Sequence, residues 1–263
     1  MIVRKEKDDV ILIKQHQHGL VSGEMAELWG DEQFKKDNQK NEVVYAVKNH
    51  DRAWKDLDDR MLLETGDRIP ASFVNYPQKY KQQAYRKELA KLERSVPYAA
   101  LLVSKHFASF FAGRLDKISQ QFLREEKGRQ ERVKELLNLT EQDEKHLNNH
   151  FQILQFCDHM SLFLCMNKPG AHKQEEILWF RDGFSQRFPY LGNQLIAAQW
   201  LDEKKVSITP FPFSTSMVVR VPYKRVPRTT FLKADWQQHV KQHKYEHLSV
   251  NIINGEGKQN SLN

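Results

Sequence analysis

Apolar positions fall at helical spacing through most of the first two thirds of this chain and at strand spacing near its two ends. Val21, Met25 and Leu28 share one face of a segment that begins at His18 and closes at Gly30-Asp31, which predicts a helix. Val43, Val47 and Trp54 predict a second, from about Asn41 to Trp54. Pro97 marks the start of a third, read through Phe111 and on toward Arg124, because proline is well accommodated in a first helical turn. A fourth runs from about Glu141 to Cys165 and stops before Asn167-Lys-Pro-Gly170. Residues 31–41 and 56–80 hold no sustained period and read as loops, the second with room for a short helix. Residues 173–187 form a short amphipathic segment.

Residues 2–4 and 10–14 predict two strands around a polar turn at Lys5–Asp9. Val206–Phe213, Met217–Tyr223 and Leu248–Ile253 predict three more, with the prolines at 210, 212, 222 and 227 suiting edge positions. The expected fold is mostly α, a helical bundle with a small antiparallel β-sheet formed from N- and C-terminal strands. Residues 1–201, with the hairpin 1–14, read as a helical domain. Residues 202–254 read as a β-rich extension packed on the same body, and 255–263 as a flexible tail.

Composition agrees with a globular chain. At 263 residues, 40% apolar and 29% charged, it can bury a sizeable core. Only nine prolines and eleven glycines are present, too few for an all-β fold full of tight turns. The opening Met1-Ile-Val-Arg-Lys-Glu-Lys has no apolar run after its basic residues, unlike a secretory signal. No stretch approaches the roughly 18 uncharged apolar residues of a membrane span. Cys157 and Cys165 stand about 12 Å apart along one helix at 1.5 Å per residue, too far for a disulfide, so a cytoplasmic location is expected. The net charge of +7 suits a small anionic partner. It is diffuse, interleaved with acids as in Arg124–Arg132, and no basic stripe with aromatics indicates nucleic acid.

The candidate chemistry lies in polar residues on apolar helical stripes. His18 aligns with Val21, Met25 and Leu28, and His50 with Val43, Val47 and Trp54. His106 aligns with Ala99, Leu102, Val103 and Phe110, and Asp158 with Leu147, Phe151, Leu154 and Leu162. Each points where a core residue belongs. A buried carboxylate is costly unless it is paired or bound to a metal. Each residue alone has a plainer explanation, an Asp paired across helices or a His bonded to a carbonyl. Together, His18, His50, Asp51 and Asp158 point to one divalent metal ion. Two imidazoles and two carboxylates suit Mn²⁺, Fe²⁺, Zn²⁺, Ni²⁺ or Mg²⁺. His16 is a rival first ligand, although His18 fits the helical stripe. The chain shows no P-loop, dinucleotide fingerprint or nucleophile elbow. Trp29, Trp54, Phe107, Phe110 and Phe111 read as core.

The ordered set of His18, the His50-Asp51 doublet after an apolar run, and Asp158 in Phe156-Cys-Asp-His-Met-Ser161 resembles the HD-domain superfamily of metal-dependent phosphohydrolases. The resemblance implies an HD-like helical bundle. It also implies hydrolysis of a phosphoester, with a nucleotide as one candidate, by a metal-bound hydroxide. On that reading His106 is a fifth ligand, a proton donor or a phosphoryl contact. Lys105 and Arg52 offset developing charge, and His159 supports Asp158. The alternative is a non-catalytic, HD-like metal- or ligand-binding regulatory module. The whole chain also resembles an uncharacterised bacterial family of unknown function, through Met1-Ile-Val-Arg4, Gln15-His-Gln-His-Gly19, Asn49-His-Asp-Arg52 with Trp54, and Ser104-Lys-His-Phe107.

Overall fold

The computed structural model describes residues 1–256, so most of the expected tail, 257–263, lies outside the described residues. The strands β1 (Ile2–Lys5) and β2 (Asp9–Ile13) form the expected hairpin, with Ile2 opposite Ile13 and Lys5 opposite Val10. Val10 to Ile13 are all buried, the pattern of a strand covered on both faces. Ile11 and Ile13 join the main helical core, whereas Val10 and Leu12 join a smaller one with Met61, Val226 and Phe231.

The helical body follows as α1 (Gln15–Glu27), α2 (Glu32–Lys35), α3 (Lys40–Asn49), α4 (Lys55–Asp59) and α5 (Gln78–Ser95). It continues through α6 (Pro97–Ser109), α7 (Lys117–Leu136), α8 (Glu141–Met166) and the single turn α9 (Leu178–Arg181). The chain then supplies β3 (Ala197–Asp202), β4 (Lys205–Thr209), β5 (Met217–Pro227), α10 (Trp236–Gln242) and β6 (Glu246–Asn254). The mostly helical expectation holds, and strands from both ends do share one sheet.

That sheet is six-stranded and mixed, not small and antiparallel. Its order is β1-β2-β5-β6-β4-β3, and β4 runs parallel to β6. The chain leaves β4, crosses through β5 and α10, and returns with β6 alongside β4. Prolines decide where the fourth strand ends. Val206–Phe213 reads as one strand, but pairing stops at Thr209 before Pro210 and Pro212, which have no N–H for the ladder. β3 is an additional strand, buried at Ala198 and Trp200 by alternation.

Three helical boundaries also differ. Helix α5 occupies residues expected to be loop up to 80 and unassigned after it. Its charged sequence is held by one narrow stripe of Tyr85, Leu89 and Leu92. The helix expected from Pro97 toward Arg124 is two helices. Gly113, at φ +76°, turns the chain, and Asp116 caps α7 by accepting from the Ser119 amide. The helix expected through Trp54 ends at Asn49 and passes into a single 3₁₀ turn over Arg52–Trp54, which leaves the His50-Asp51 doublet at the helix end.

Helix α1 packs against α3, α8 and β5. Its approach to α3 depends on glycine: a Cβ built on Gly23 would meet Lys48 Cβ at 2.7 Å and its Cα at 3.0 Å. Gly23→Ala should therefore destabilise the fold by about 1–3 kcal/mol through overpacking, despite the better helix propensity of alanine. Urea denaturation of both forms measures this, with wild-type stability in the variant as the contrary result.

Candidate metal centre

Four helices bring polar side chains into one buried cluster. α1 contributes Gln15 and His18, and the end of α3 contributes His50 and Asp51. α6 contributes His106, and α8 contributes Asp158 and Ser161. His18, His50, Asp51, His106 and Asp158 are all at most 4% exposed. His18 Nε2 lies 3.0 Å from Asp51 Oδ2, and His50 Nε2 lies 3.3 Å from Asp158 Oδ1 and 3.9 Å from Asp51 Oδ2. His106 Nε2 is 3.9 Å from Asp158 Oδ2. The His50 ring packs edge-on to those of His18 and His106, with centroids 5.1 and 5.0 Å apart. Two overlapping sets result, His18–His50–Asp51 and His50–His106–Asp158, each with donor atoms within 4.8 Å of one another.

These residues fit a divalent ion. The amide of Gln15 donates to Asp51 Oδ2 at 2.9 Å. His50 Nδ1 donates to the Val47 carbonyl at 2.7 Å, which fixes that nitrogen as an N–H and directs Nε2 inward. His50 Nε2, Asp51 Oδ1 and both ring nitrogens of His106 are buried without a hydrogen-bond partner. Unpaired polar atoms in such a place require an explanation. Adjacent ligands about 2.1 Å from one octahedral ion lie roughly 3.0 Å apart, close to the separations across the His18–Asp51 and His50–Asp158 pairs.

Behind the donors lies a supporting hydrogen-bond chain. His18 Nδ1 is 2.7 Å from Ser161 Oγ, Ser22 Oγ donates to Ser161 Oγ at 2.8 Å, and Ser161 Oγ reaches the Asp158 carbonyl at 2.8 Å. Asp58 accepts from the Gln15 amide N–H at 2.7 Å and pairs with the amino group of Met1. Position therefore passes from the hairpin and α4 through Gln15 to Asp51.

A cavity of about 600 Å³ opens onto this cluster and exposes Asp51, His106 and Asp158 to it. Its walls include Trp54, Tyr85, Phe110 and Phe111, and its other lining residues include Lys81, Arg114, His159 and Arg187. The chain belongs to a family of proteins of unknown function, DUF3891. That family's model matches residues 1–228, a span that takes in every residue of the cluster and the cavity. No curated protein and no solved structure matches the chain. Among the described residues, no helix is long and apolar enough to cross a membrane.

Charge at the cluster is set by mutual compensation. Burial alone would push the His50 imidazole down, but Asp158 and Asp51 overcome it and raise it to about 9. Burial would raise Asp158, yet His50 above all holds it well below the usual carboxylate range. Asp51 is lowered in the same way, by His50 and His18 against burial. Burial brings His106 down to about 4, with Asp158 offsetting this only in part. At neutral pH His106 is therefore an uncharged imidazole.

The structure divides the four residues read as metal ligands between two overlapping sets that share His50, with His106 beside Asp158 in the second. His16 shares α1 but stands half-exposed. It is lowered to about 4 by burial and by Lys55 and Arg52. Lys105 and Arg52 are not in the cavity wall. Lys105 Nζ donates to Asn148 Oδ1 at 3.2 Å, and Arg52 pairs with Glu88 at 3.2 Å. Gln15 and the cations of the cavity wall were not singled out by sequence. Gln15 carries a readable signal, three positions before His18 on the same helical face. Lys81, Arg114 and Arg187 carry none, since they sit on ordinary charged or polar stretches.

The Ser161 contact makes a direct expectation. Ser161→Ala should leave the fold intact and weaken Mn²⁺ affinity by about 10- to 100-fold, the usual effect of removing a hydrogen bond that orients a ligand histidine. Competition titration against a metal-sensitive dye measures it, and unchanged affinity would remove His18 from the ligand set.

Proposed function

We propose that this protein is a metal-dependent phosphohydrolase. The observation that carries the reading is the grouping of His18, His50, Asp51 and Asp158 in two donor sets joined at His50, with His50 Nε2 and Asp51 Oδ1 lacking hydrogen-bond partners, beside an open cavity. The same order of residues on a helical frame is the feature by which the chain resembles the HD superfamily. A divalent ion held there would supply a Lewis acid and would lower the pKa of a bound water enough for attack on phosphorus.

The side chains have distinct tasks under this reading. His50, with Nδ1 committed to Val47, offers Nε2 as a donor. Asp51 and Asp158 supply the anionic oxygens, and Gln15 and Ser161 hold Asp51 and His18 in place. Neutral His106 offers an N–H to a phosphoryl oxygen or a lone pair to the ion. The apolar walls exclude bulk water, which strengthens each electrostatic contact at the floor. Access from the cavity favours catalysis over a purely regulatory metal site, which would need no room for a substrate beside its ligands.

The test is elemental analysis of protein purified without chelator or affinity tag, coupled to p-nitrophenyl phosphate hydrolysis with Mn²⁺, Fe²⁺, Ni²⁺ or Zn²⁺ added. The expected result is about one ion per chain, with turnover that chelation abolishes and that Asp51→Asn and Asp158→Asn lose together with the metal. A well-folded wild type that takes up none of these ions and gains no thermal stability from them would refute the reading. Metal uptake without turnover of any phosphoester would favour the regulatory module.

A further inference from the structure

The cavity is layered in a way that describes its occupant. Its floor is the buried group Asp51, His106 and Asp158. Its middle is aromatic, with Trp54 and Tyr85 deep and Phe110 set edge-on to His106 at 4.6 Å between centroids. Its outer wall is apolar and exposed at Val74, Trp179 and Leu195, at 53, 54 and 48%. Single exposed apolar side chains are ordinary, but a group of them around one opening marks a binding site.

Three cations outside salt-bridge range of any described carboxylate also line the cavity. Lys81 and Arg187 are half-buried and Arg114 is exposed. Lys81 Nζ donates to the carbonyls of Phe73 and Val74 at 3.0 and 3.5 Å. Arg114 donates to Gln78 Oε1 at 3.3 Å, and Arg187 to the carbonyls of Phe184 and Gln186 at 2.7 and 2.9 Å. None of the three has a carboxylate partner among the described residues, in a chain whose other cations are largely interleaved with acids. Burial, and then the charge of Arg114, push Lys81 below its ordinary value.

The walls discourage a nucleoside. A ribose diol is bound best by acceptors away from the reacting phosphoryl group, whereas the carboxylates lining the cavity, Asp51 and Asp158, and the unpartnered Gln15 Oε1 beside them all lie at the floor. The Gln78 amide is already engaged, donating to Ser119 Oγ at 2.7 Å and accepting from Arg114.

We propose that the cavity accepts an amphiphilic phosphoester with its phosphoryl group at the floor, an apolar body against the aromatic walls, and a second anionic group held at the mouth by Lys81 and by Arg114, which bonds Gln78 one helical turn from Lys81. This rests on the hydrolase reading for the orientation of the phosphoryl group. The apolar body and distal anion rest on the cavity alone. Hydrolysis of such a molecule would release inorganic phosphate and an apolar alcohol or phenol bearing an acid.

Isothermal titration of octylphosphonate, 8-phosphonooctanoate, inorganic phosphate and adenosine monophosphate, with and without Mn²⁺, tests the proposal. Octylphosphonate should bind at least about tenfold tighter than phosphate or the nucleotide, a difference of about 1.4 kcal/mol. The distal carboxylate should tighten binding further. Arg114→Gln should abolish that second gain while leaving octylphosphonate and metal content unchanged, since Arg114 is exposed and touches no metal-cluster residue. Trp179→Ala should weaken both alkyl ligands. Equal or tighter nucleotide binding, or no effect of either substitution, would overturn the proposal. Should the protein bind no metal, the alkyl preference and the Arg114 effect must still appear in metal-free protein, which separates failure of this proposal from failure of the hydrolase reading.

Discussion

Two buried carboxylates that share the His50 imidazole between them are the constraint around which this structure is arranged. Asp51 and Asp158 would each cost several kcal/mol in an apolar interior without a compensating positive charge. Three imidazoles surround them, and one of these, His50, is held protonated near neutral pH by the pair. A proton on His50 and a divalent ion are alternative ways to satisfy the same oxygens, and Asp51 Oδ1 and the His106 ring nitrogens, without hydrogen-bond partners in the proton-only state, favour the ion. Metal uptake would then release that proton, which links affinity to pH.

The scaffold serves this cluster at several levels. Glycines on α1 let α3 approach closely: a Cβ at Gly19 would press on the Lys48 carbonyl oxygen at 3.3 Å, with the His50 ring in ordinary contact beside it. The capping box at Thr140 and Asp143 starts α8, so that the same helix can deliver both Asp158 and Ser161 one turn apart. The mixed sheet contributes by position: β5 backs α1, and the hairpin places Gln15 immediately after β2. The aromatic cluster of Trp29 with Phe156, Phe188 and Phe213 ties α1 and α8 to the segments before β3 and after β4.

Much of this was legible in the chain. His18, His50, His106 and Asp158 each occupy an apolar stripe, so helical period alone assigns them to the interior, where such residues need a reason to be. Convergence was not legible, because periodicity gives the face of a helix and not which faces meet. The parallel pairing of β4 with β6 was hidden for the same reason, since strand spacing says nothing about crossover. Helix α5 was obscured by its own composition: most of its residues are charged or polar, and three apolar positions carry its packing. The cavity cations were invisible because Lys81, Arg114 and Arg187 differ from surface Lys and Arg only in what surrounds them. Arg52 and Lys105 stand next to the cluster in sequence, yet their side chains are directed to Glu88 and Asn148.

The most direct measurement is anomalous-difference crystallography on crystals grown with Mn²⁺. The account predicts a peak in contact with His50 Nε2 and with oxygens of both Asp51 and Asp158, with His18 or His106 completing the protein ligands. An unoccupied cluster at saturating Mn²⁺, with His50 still ion-paired to Asp158, would contradict it.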